Sequence, residues 1–512
     1  MPDILRRSTY IVAAALALTL TLFTPYLVVL AAIGNTIISD KGIPPEIFDA
    51  KSLALLWSSV KLSILVAFGS LLAASLLIGS LWAIKSASSR MAILISTGLL
   101  FCLSPVIHLI GWRTIPGFAL LPTLLSTSGV LIWRSFPVMV FMLLLGVVAL
   151  DRPGLEMAMI HSGWREVMRR IVLPRLLPMA FMGGMTIFVF TFMEGEVPPL
   201  LGMRVYPEEF MSRICLESTL GGAAVGALPF FLVAIVSLAV VLRFWPRGVQ
   251  QTWQQNGIAV LDSYVRGFHS TWAVTAFIIA GMMIPVALLL KAADNKGFIG
   301  LLAKNGEAFF TSFKLGILSA LLTLVTAYIL TDLLLASAKL IQEIILGSLV
   351  VQLFLPGSLL GLGMIEVSHL PGLDWLNNDN ILLVITHCLR QIPYAVLLLV
   401  WLRWLDINQS RDELRLVGAS WLNTIRHIRL PKEWPRLVVI MGIVLVLALS
   451  ELTSTILVVA PGTETIILRI YNLMHYGDRE AVAALAFVQA LVTILLLLLP
   501  ITLVRKMRSD TN

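Results

Sequence analysis

Two stretches that lie half a chain apart share one pattern. Trp164–Pro174 reads WREVMRRIVLP and Trp421–Pro431 reads WLNTIRHIRLP. A tryptophan, an arginine, an isoleucine and a closing Leu-Pro therefore recur at an offset of 257 positions in a chain of 512 residues. Self-similarity at a long fixed period indicates internal duplication. We predict that the chain consists of two copies of one unit.

Further positions keep nearly the same offset on either side of these stretches. At 257 lie Pro178 with Pro435 and Glu194 with Glu451; at 256 lie Arg134-Ser135-Phe136-Pro137 with Arg390-Gln391-Ile392-Pro393; at 253 lie Ser59-Val60-Lys61-Leu62 with Ser312-Phe313-Lys314-Leu315. The small drift in offset corresponds to a few residues of loop variation. The duplication therefore extends over most of each half.

The composition excludes a soluble chain. Hydrophobic residues make up 58% and charged residues 13%, whereas soluble proteins carry about 25% charged residues. A chain with a mean hydropathy of +0.93 has too few polar residues to cover its apolar ones with a water-facing surface. We therefore predict a polytopic membrane protein. The three cysteines form no CxxC or Cys/His cluster, which argues against a disulfide framework or a zinc site.

The predicted fold is all-α, with about twelve transmembrane helices. About 20 mostly apolar residues cross the hydrocarbon core, and such runs lie near 10–33, 60–84, 91–112, 128–150, 176–198, 226–245, 271–291, 312–336, 341–364, 381–404, 436–459 and 481–504. Six spans per half place both ends of each copy on one side of the membrane, so the repeat is parallel. We predict a first lobe at 1–245, a linker at 246–270 and a second lobe at 271–512.

Positive charge orients the predicted spans. With both termini inside, the cytoplasmic segments hold about 23 of the 37 lysines and arginines and the outer segments about 12. Loops 151–175 and 403–436 are the richest. The rule that cytoplasmic loops carry the excess of lysine and arginine therefore places both termini in the cytoplasm. It also explains the net charge of +8 without nucleic acid.

The two basic loops have a helical pattern. In the second copy, apolar residues recur every three or four positions from Leu414 to Ile428. Gly418 interrupts the pattern where a bend is useful, and Pro431 ends it. We predict short amphipathic helices parallel to the membrane, around 156–171 and 412–428.

These loops resemble the EAA loop of ABC-transporter permeases, in which Glu-Ala-Ala is followed by a glycine and then by Ile-x-Leu-Pro. In the first copy the glycine position falls on His161. The resemblance assigns the ATPase-coupling loops to Glu156, His161, Gly163, Leu173 and Pro174 in the first copy and to Glu413, Gly418, Ala419, Leu430 and Pro431 in the second.

The resemblance implies a fused inner-membrane permease of a bacterial binding-protein-dependent importer. The similar groups are the iron(III), thiamine and putrescine/sulfate permeases. Two copies of an ATP-binding ABC subunit are then expected at the cytoplasmic face, and a solute-binding protein in the periplasm. The chain would be a multi-pass protein of the bacterial inner membrane.

Catalytic motifs are missing from the sequence. No G-x-x-x-x-G-K-[ST] occurs, so ATP hydrolysis is expected on a separate chain. We predict a translocation subunit rather than an enzyme, with no catalytic, cofactor or metal residues. A twelve-helix secondary transporter without an ATPase is the alternative, and a membrane scaffold without transport is a third class.

Four charged residues inside or beside predicted spans are candidates for the translocation path. Arg134 matches Arg390 and Glu194 matches Glu451. Ionisable groups are costly in a bilayer and mark function by default. One interpretation is that they snorkel to the outer interface or form structural bridges, each arginine with the glutamate of its own lobe. The other is that they line a solute cavity.

Overall fold

The computed structural model describes residues 49–84, 86–115, 117–148, 150, 152–216, 226–244, 290, 298–378, 380–416, 430–476 and 479–509. Every regular element in these ranges is helical. The predicted all-α class is therefore confirmed for the described residues. The predicted linker at 246–270 and the boundaries of the two lobes beside it lie outside them.

Among the described residues, nine α-helices belong to the first half of the chain and nine to the second. Those of the first half are α1 (Ala50–Ala83), α2 (Ala87–Cys102), α3 (Pro105–Arg113), α4 (Thr123–Val148), α5 (Arg152–Val167), α6 (Leu173–Phe192), α7 (Val197–Leu200), α8 (Tyr206–Leu216) and α9 (Leu228–Phe244). A π-helical turn, Met168–Val172, joins α5 to α6. The side chain of Asp49 caps α1 by accepting a hydrogen bond from Ser52 N at 2.7 Å.

The other nine described helices belong to the second half. They are α10 (Phe298–Lys304), α11 (Gly306–Ala336), α12 (Lys339–Leu353), α13 (Gly357–Ser368), α14 (Ile381–Leu416), α15 (Leu430–Ser450), α16 (Thr453–Val458), α17 (Ile466–Tyr476) and α18 (Arg479–Ser509). Prolines lie inside both α4 and α14, at the matched positions Pro137 and Pro393. Proline is tolerated inside a membrane helix where neighbouring groups satisfy the freed carbonyls.

Seven helical segments of the described residues are long and apolar enough to cross a membrane. They are Ala50–Leu81, Thr123–Val147, Arg165–Phe192, Gly306–Leu335, Ile381–Arg403, Glu433–Ser450 and Glu480–Pro500. If each of two bent helix pairs also counts as one span, the number rises to nine. The chain is thus built as a multi-pass membrane protein. Predicted spans 10–33 and 271–291 lie outside the described residues, so the count of twelve stays a prediction.

The two bent pairs differ from the sequence prediction, which gives a continuous helix near 91–112 and another near 341–364. Instead, α2 meets α3 at 101° and α12 meets α13 at 106°. The side chain of Ser104 caps α3, which then begins with Pro105, and Pro356 directly precedes α13. Proline has no N–H to continue the preceding helix. The breaks therefore follow from local chemistry that hydropathy does not detect.

The chain groups into two compact units. The first unit comprises 48–209 and 232–292, and the second comprises 1–47, 210–231 and 293–512. Each unit has its own buried core of interlocking helices, described separately below.

In the first unit, α1 packs along α4 and α6, and α4 packs along α6. A Cβ on Gly69 of α1 would lie 2.3 Å from Ile132 Cδ1 of α4, and one on Gly183 of α6 would lie 2.9 Å from Met139 Sδ. Small residues of this kind let membrane helices approach closely. The glycines thus set the spacing of the three long helices.

In the second unit, α11 packs against α14 and α15, while α15 packs against α18 and α13 against α16. Ile392 of α14 and Val444 of α15 are fully buried in this core. A Cβ on Gly442 would lie 2.9 Å from the Leu496 carbonyl oxygen. Close packing of α15 on α18 therefore depends on a small residue here as well.

One amphipathic helix in each half begins on a distant serine. Tyr206 N, the first amide of α8, donates to Ser59 Oγ at 3.0 Å. Ile466 N, the first amide of α17, donates to Ser312 Oγ at 2.7 Å. The amides at a helix start have no partner within the helix, and here a hydroxyl from α1 or α11 supplies one.

Candidate functional site

The first unit contains the expected arginine–glutamate pair. Arg134 lies on α4, eleven residues after its start at Thr123 and thus about 17 Å along the helix axis. Glu194 follows the end of α6. Arg134 Nη1 donates to Glu194 Oε2 at 2.7 Å. The Glu194 side chain is 6% exposed and that of Arg134 is 26% exposed, so the carboxylate is the more deeply buried partner.

The second unit contains the matching pair in a looser form. Arg390 Nε on α14 lies 3.8 Å from Glu451 Oε2, which is beyond hydrogen-bond distance. Arg390 Nη1 donates instead to the backbone carbonyl of Leu355, which lies in the break between α12 and α13. The two units thus share the pair but differ in how tightly it is closed.

In both units the glutamate also starts a short helix. Glu194 Oε1 accepts from the amides of Glu196 at 3.0 Å and Val197 at 3.4 Å, at the beginning of α7. Glu451 Oε1 accepts from Ser454 N at 3.3 Å and from the Thr453 hydroxyl at 2.8 Å, at the beginning of α16. One carboxylate oxygen therefore faces the arginine while the other caps the next helix, where a negative charge is favourable.

The second unit holds a more polar surrounding than the first. His387 Nε2 lies 2.9 Å from Thr455 Oγ1, and that hydroxyl donates to the Glu451 carbonyl at 2.6 Å. Since a hydroxyl has one proton, His387 Nε2 is the donor and its Nδ1 an acceptor; Nδ1 has no partner among the described residues. The matching positions in the first unit are Leu131 and Pro198, which offer no such groups.

A glycine lets the break between α12 and α13 approach this carboxylate. A Cβ on Gly357 would lie 2.2 Å from Thr453 Oγ1 and 2.6 Å from Glu451 Oε1. Real Cβ atoms do not approach other heavy atoms so closely. The position of Glu451 therefore depends on glycine at residue 357.

The loop predicted to be helical in the first copy is helical. It forms α5, which contains one non-helical residue, Gly163, at φ +71°. Leu150, Val167 and Val172 form a small buried cluster beneath it. The bend that the resemblance places on His161 thus falls two residues later, because glycine adopts positive φ without a Cβ penalty.

The opposite face of α5 is open. Met157 is 64% exposed and Ile160, one turn further on, is 80% exposed; His161 and Gly163 are also exposed. Two large apolar side chains therefore project from one face of α5.

The remaining loop residues are only partly described. Leu173 and Pro174 begin α6 and are exposed, and Leu430 and Pro431 begin α15 in the same way. The backbones of Glu156 and Glu413 lie within α5 and α14. Gly418 and Ala419 lie outside the described residues, so their predicted role stays a prediction.

Sequence reasoning missed one buried acid, Asp332, which is 6% exposed near the end of α11. Its position inside predicted span 312–336 was a sufficient signal, because charges in spans are rare. Among the described residues, no group of three His, Cys, Asp or Glu side chains could hold a metal ion. No protein-family model, curated protein sequence or solved structure matches this chain.

Proposed function

We propose that this chain is the permease subunit of an ATP-driven importer and forms the solute path across a bacterial inner membrane. The observation that carries the proposal is the repetition, in two units, of one three-part arrangement. Each unit has an arginine within a long apolar helix, a glutamate at a helix break and a short helix capped by that glutamate. Two such units fit a permease built from two equivalent lobes.

The open face of α5 supports the coupling part of the proposal. Met157 and Ile160 lie one helical turn apart and are exposed on a loop that contains several arginines. We assign this face to one ATP-binding subunit and the predicted coupling helix around 412–428 to a second copy. A periplasmic solute-binding protein completes the proposed importer, and both termini are placed in the cytoplasm.

The buried pairs support the path part. Arg134 and Arg390 keep exposed fractions of 26% and 19% in their side chains, whereas the glutamates lie deeper. A charged solute group would therefore meet the guanidinium first and compete with the glutamate for it. The exchange of one ionic partner for another lets such a group pass without leaving a buried charge unpaired.

Purification of the tagged chain from its native membrane tests the proposal. We expect an ATPase subunit, identified by its P-loop peptide, to copurify in a complex that hydrolyses ATP. Ile160→Glu should remove that subunit, because a carboxylate cannot enter an apolar contact. Leu120→Glu is the matched control, since Leu120 is 88% exposed but lies outside the loop at 151–175 and should leave the complex intact.

The competing function is a secondary transporter with no ATPase. It predicts that the chain purifies alone under all conditions and that Ile160→Glu has no effect on its composition. A scaffold without transport likewise predicts no ATP hydrolysis and gives no reason for arginine–glutamate pairs in both units.

A further inference from the structure

Three charged side chains, one from each of three long helices, meet in the second unit. Arg403 of α14 donates through Nη1 to Asp332 of α11 and through Nη2 to Glu433 of α15, the latter at 3.2 Å. Its guanidinium carbon lies 4.4 Å from the ring centroid of Tyr328. We call these four residues the Arg403 cluster. Arg403 and Asp332 are buried, and a buried charge is stable only when it is paired.

The cluster lies at the base of the predicted second coupling loop. Arg403 is the last residue of the apolar part of α14, and Glu433 is the first residue of the apolar part of α15. The segment 417–429 joins these two helices in the chain. The bond from Arg403 to Glu433 therefore ties the helix that enters the loop to the helix that leaves it, and Asp332 ties both to α11.

The helix that enters the loop is also unusually long. α14 continues for thirteen residues beyond Arg403, to Leu416, a length of about 20 Å. In the first unit the matching helix, α4, ends at Val148. A helix held at Arg403 and continuing from there can act as a lever, whereas α4 has no comparable extension.

The first unit lacks every charge of the cluster. At the offsets of the three helices concerned (256, 257 and 253), Val147, Leu176 and Gly79 take the places of Arg403, Glu433 and Asp332, and Gly146 directly precedes Val147. A Cβ on Gly146 would lie 2.8 Å from Leu176 Cδ2, so the contact there is close and apolar. Apolar packing has no directional bonds and permits small shifts, while paired charges fix an orientation.

We infer that the Arg403 cluster is the positioning device that transmits movement of the second coupling loop into the helix break that follows α15, at Glu451, an inference that rests on the proposed function. Arg403, Asp332 and Glu433 hold α11, α14 and α15 as one body. A displacement of the loop at 417–429 then moves α15, and with it Glu451 at the far end of that helix. In the first unit, a displacement of that unit's own coupling loop is transmitted through apolar contacts.

Hydrogen–deuterium exchange on the purified permease–ATPase complex tests this inference, with ATP plus orthovanadate as the probe. In the wild-type complex, trapping should change hydrogen exchange at the short helix that follows the break in each unit. These helices are α7 (Val197–Leu200) in the first unit and α16 (Thr453–Val458) in the second. The variant is Asp332→Asn, Arg403→Met and Glu433→Gln together, so that none of the three charges is left unpaired. We expect its trapping-dependent change at Thr453–Val458 to shrink by about fivefold or more, the size of a weak coupling free energy.

The change at Val197–Leu200 should persist in the same variant, and this excludes a general loss of structure or of ATPase binding. Lys339→Met removes an exposed charge near these helix ends and should leave both changes as in the wild type. An undiminished change at Thr453–Val458 in the triple variant overturns the inference. Loss at both breaks also overturns it, because the cluster would then act on the whole protein.

Glu433→Leu alone gives a second test if the triple variant does not accumulate. It removes only the bond between α14 and α15 and keeps Arg403 paired with Asp332. The trapping-dependent change at Thr453–Val458 should again fall, and its retention contradicts the inference. If no ATPase copurifies with the wild-type chain, or if trapping changes neither break, the proposed function fails instead.

Discussion

The two units repeat one arrangement near the helix breaks and differ at the opposite ends of the same helices. Both bring an arginine to a glutamate that caps a short helix. Only the second surrounds the pair with His387 and Thr455 and ties its helix ends together through Arg403. The shared part is what the proposed duplicated path requires. The differences predict that substitutions at matching positions of the two units have unequal effects.

The largest expected effect tests the closed pair against the open pair. Arg134→Leu leaves the buried Glu194 without its cation and should lower the free energy of unfolding by about 3 kcal/mol, at the lower end for a broken buried pair. Arg390→Leu should cost about 1 kcal/mol, because its Nε lies 3.8 Å from Glu451 Oε2 and Glu451 keeps two hydroxyl donors, from Thr453 and Ser454, that Glu194 lacks. Thermal unfolding in detergent measures both. Equal losses of unfolding free energy would show that the difference between the 2.7 Å Arg134–Glu194 distance and the 3.8 Å Arg390–Glu451 distance does not affect stability.

Gly357→Ala should have the next largest effect. The added Cβ collides with Thr453 Oγ1 and Glu451 Oε1, and relief by backbone movement costs about 1–3 kcal/mol. Gly79→Ala is the control, because no atom lies within 4 Å of a Cβ there. The two midpoints of thermal unfolding should differ by several degrees, and coincident midpoints would show that the break relaxes freely.

Added bulk should affect the two coupling loops unequally. Gly418→Leu is expected to lower solute uptake in reconstituted vesicles about tenfold, corresponding to about 1.4 kcal/mol, while the protein remains inserted. His161→Leu, at the matching first-copy position, should change uptake less, since a side chain is already accommodated there. Uptake measured per ATP hydrolysed separates loss of coupling from loss of ATPase binding. Wild-type uptake by the Gly418→Leu variant would refute the docking assignment.

The smallest expected effect concerns the serines that start α8 and α17. Ser59→Ala and Ser312→Ala each remove one acceptor from a buried amide and should cost about 1 kcal/mol, at the lower end for a buried amide left unpaired. The two losses should be similar, because each contact joins the first amide of a helix to a serine hydroxyl at a matching position. Unequal losses would indicate that this part of the units has also diverged.

The sequence predicted those features that depend on residue type alone. Charged side chains inside apolar runs can be recognised from the sequence, because they are costly to bury in a membrane. Arg134, Glu194, Arg390 and Glu451 were selected in this way, and each arginine lies close to the glutamate of its own unit. The long spans followed from hydropathy in the same way. The first loop was predicted to be helical because it matches the second loop, whose apolar residues have helical spacing. The structure has a helix there, α5.

Features that depend on distant contacts were not predicted. Hydropathy averages over the turn at Pro105 and the turn before Pro356, so two broken helices were expected to be continuous. The first loop bends at Gly163 rather than at His161. The bend requires a positive φ, which glycine adopts readily, whereas the match between the two loops shows only which positions are equivalent. The bond from Arg403 to Asp332 joins residues 71 positions apart, and no local pattern encodes it.

The serine contacts at the starts of α8 and α17 have a consequence for synthesis. Each of these helices receives its first acceptor from a residue made 147 or 154 positions earlier in the chain. Ser59 and Ser312 are therefore synthesised well before Tyr206 and Ile466, whose amides donate to them. The α8 and α17 starts cannot be fixed until α1 and α11 have inserted, so these earlier helices serve as templates for the order of assembly. Assembly then runs from α1 to α8 in the first half and from α11 to α17 in the second, in the direction of translation.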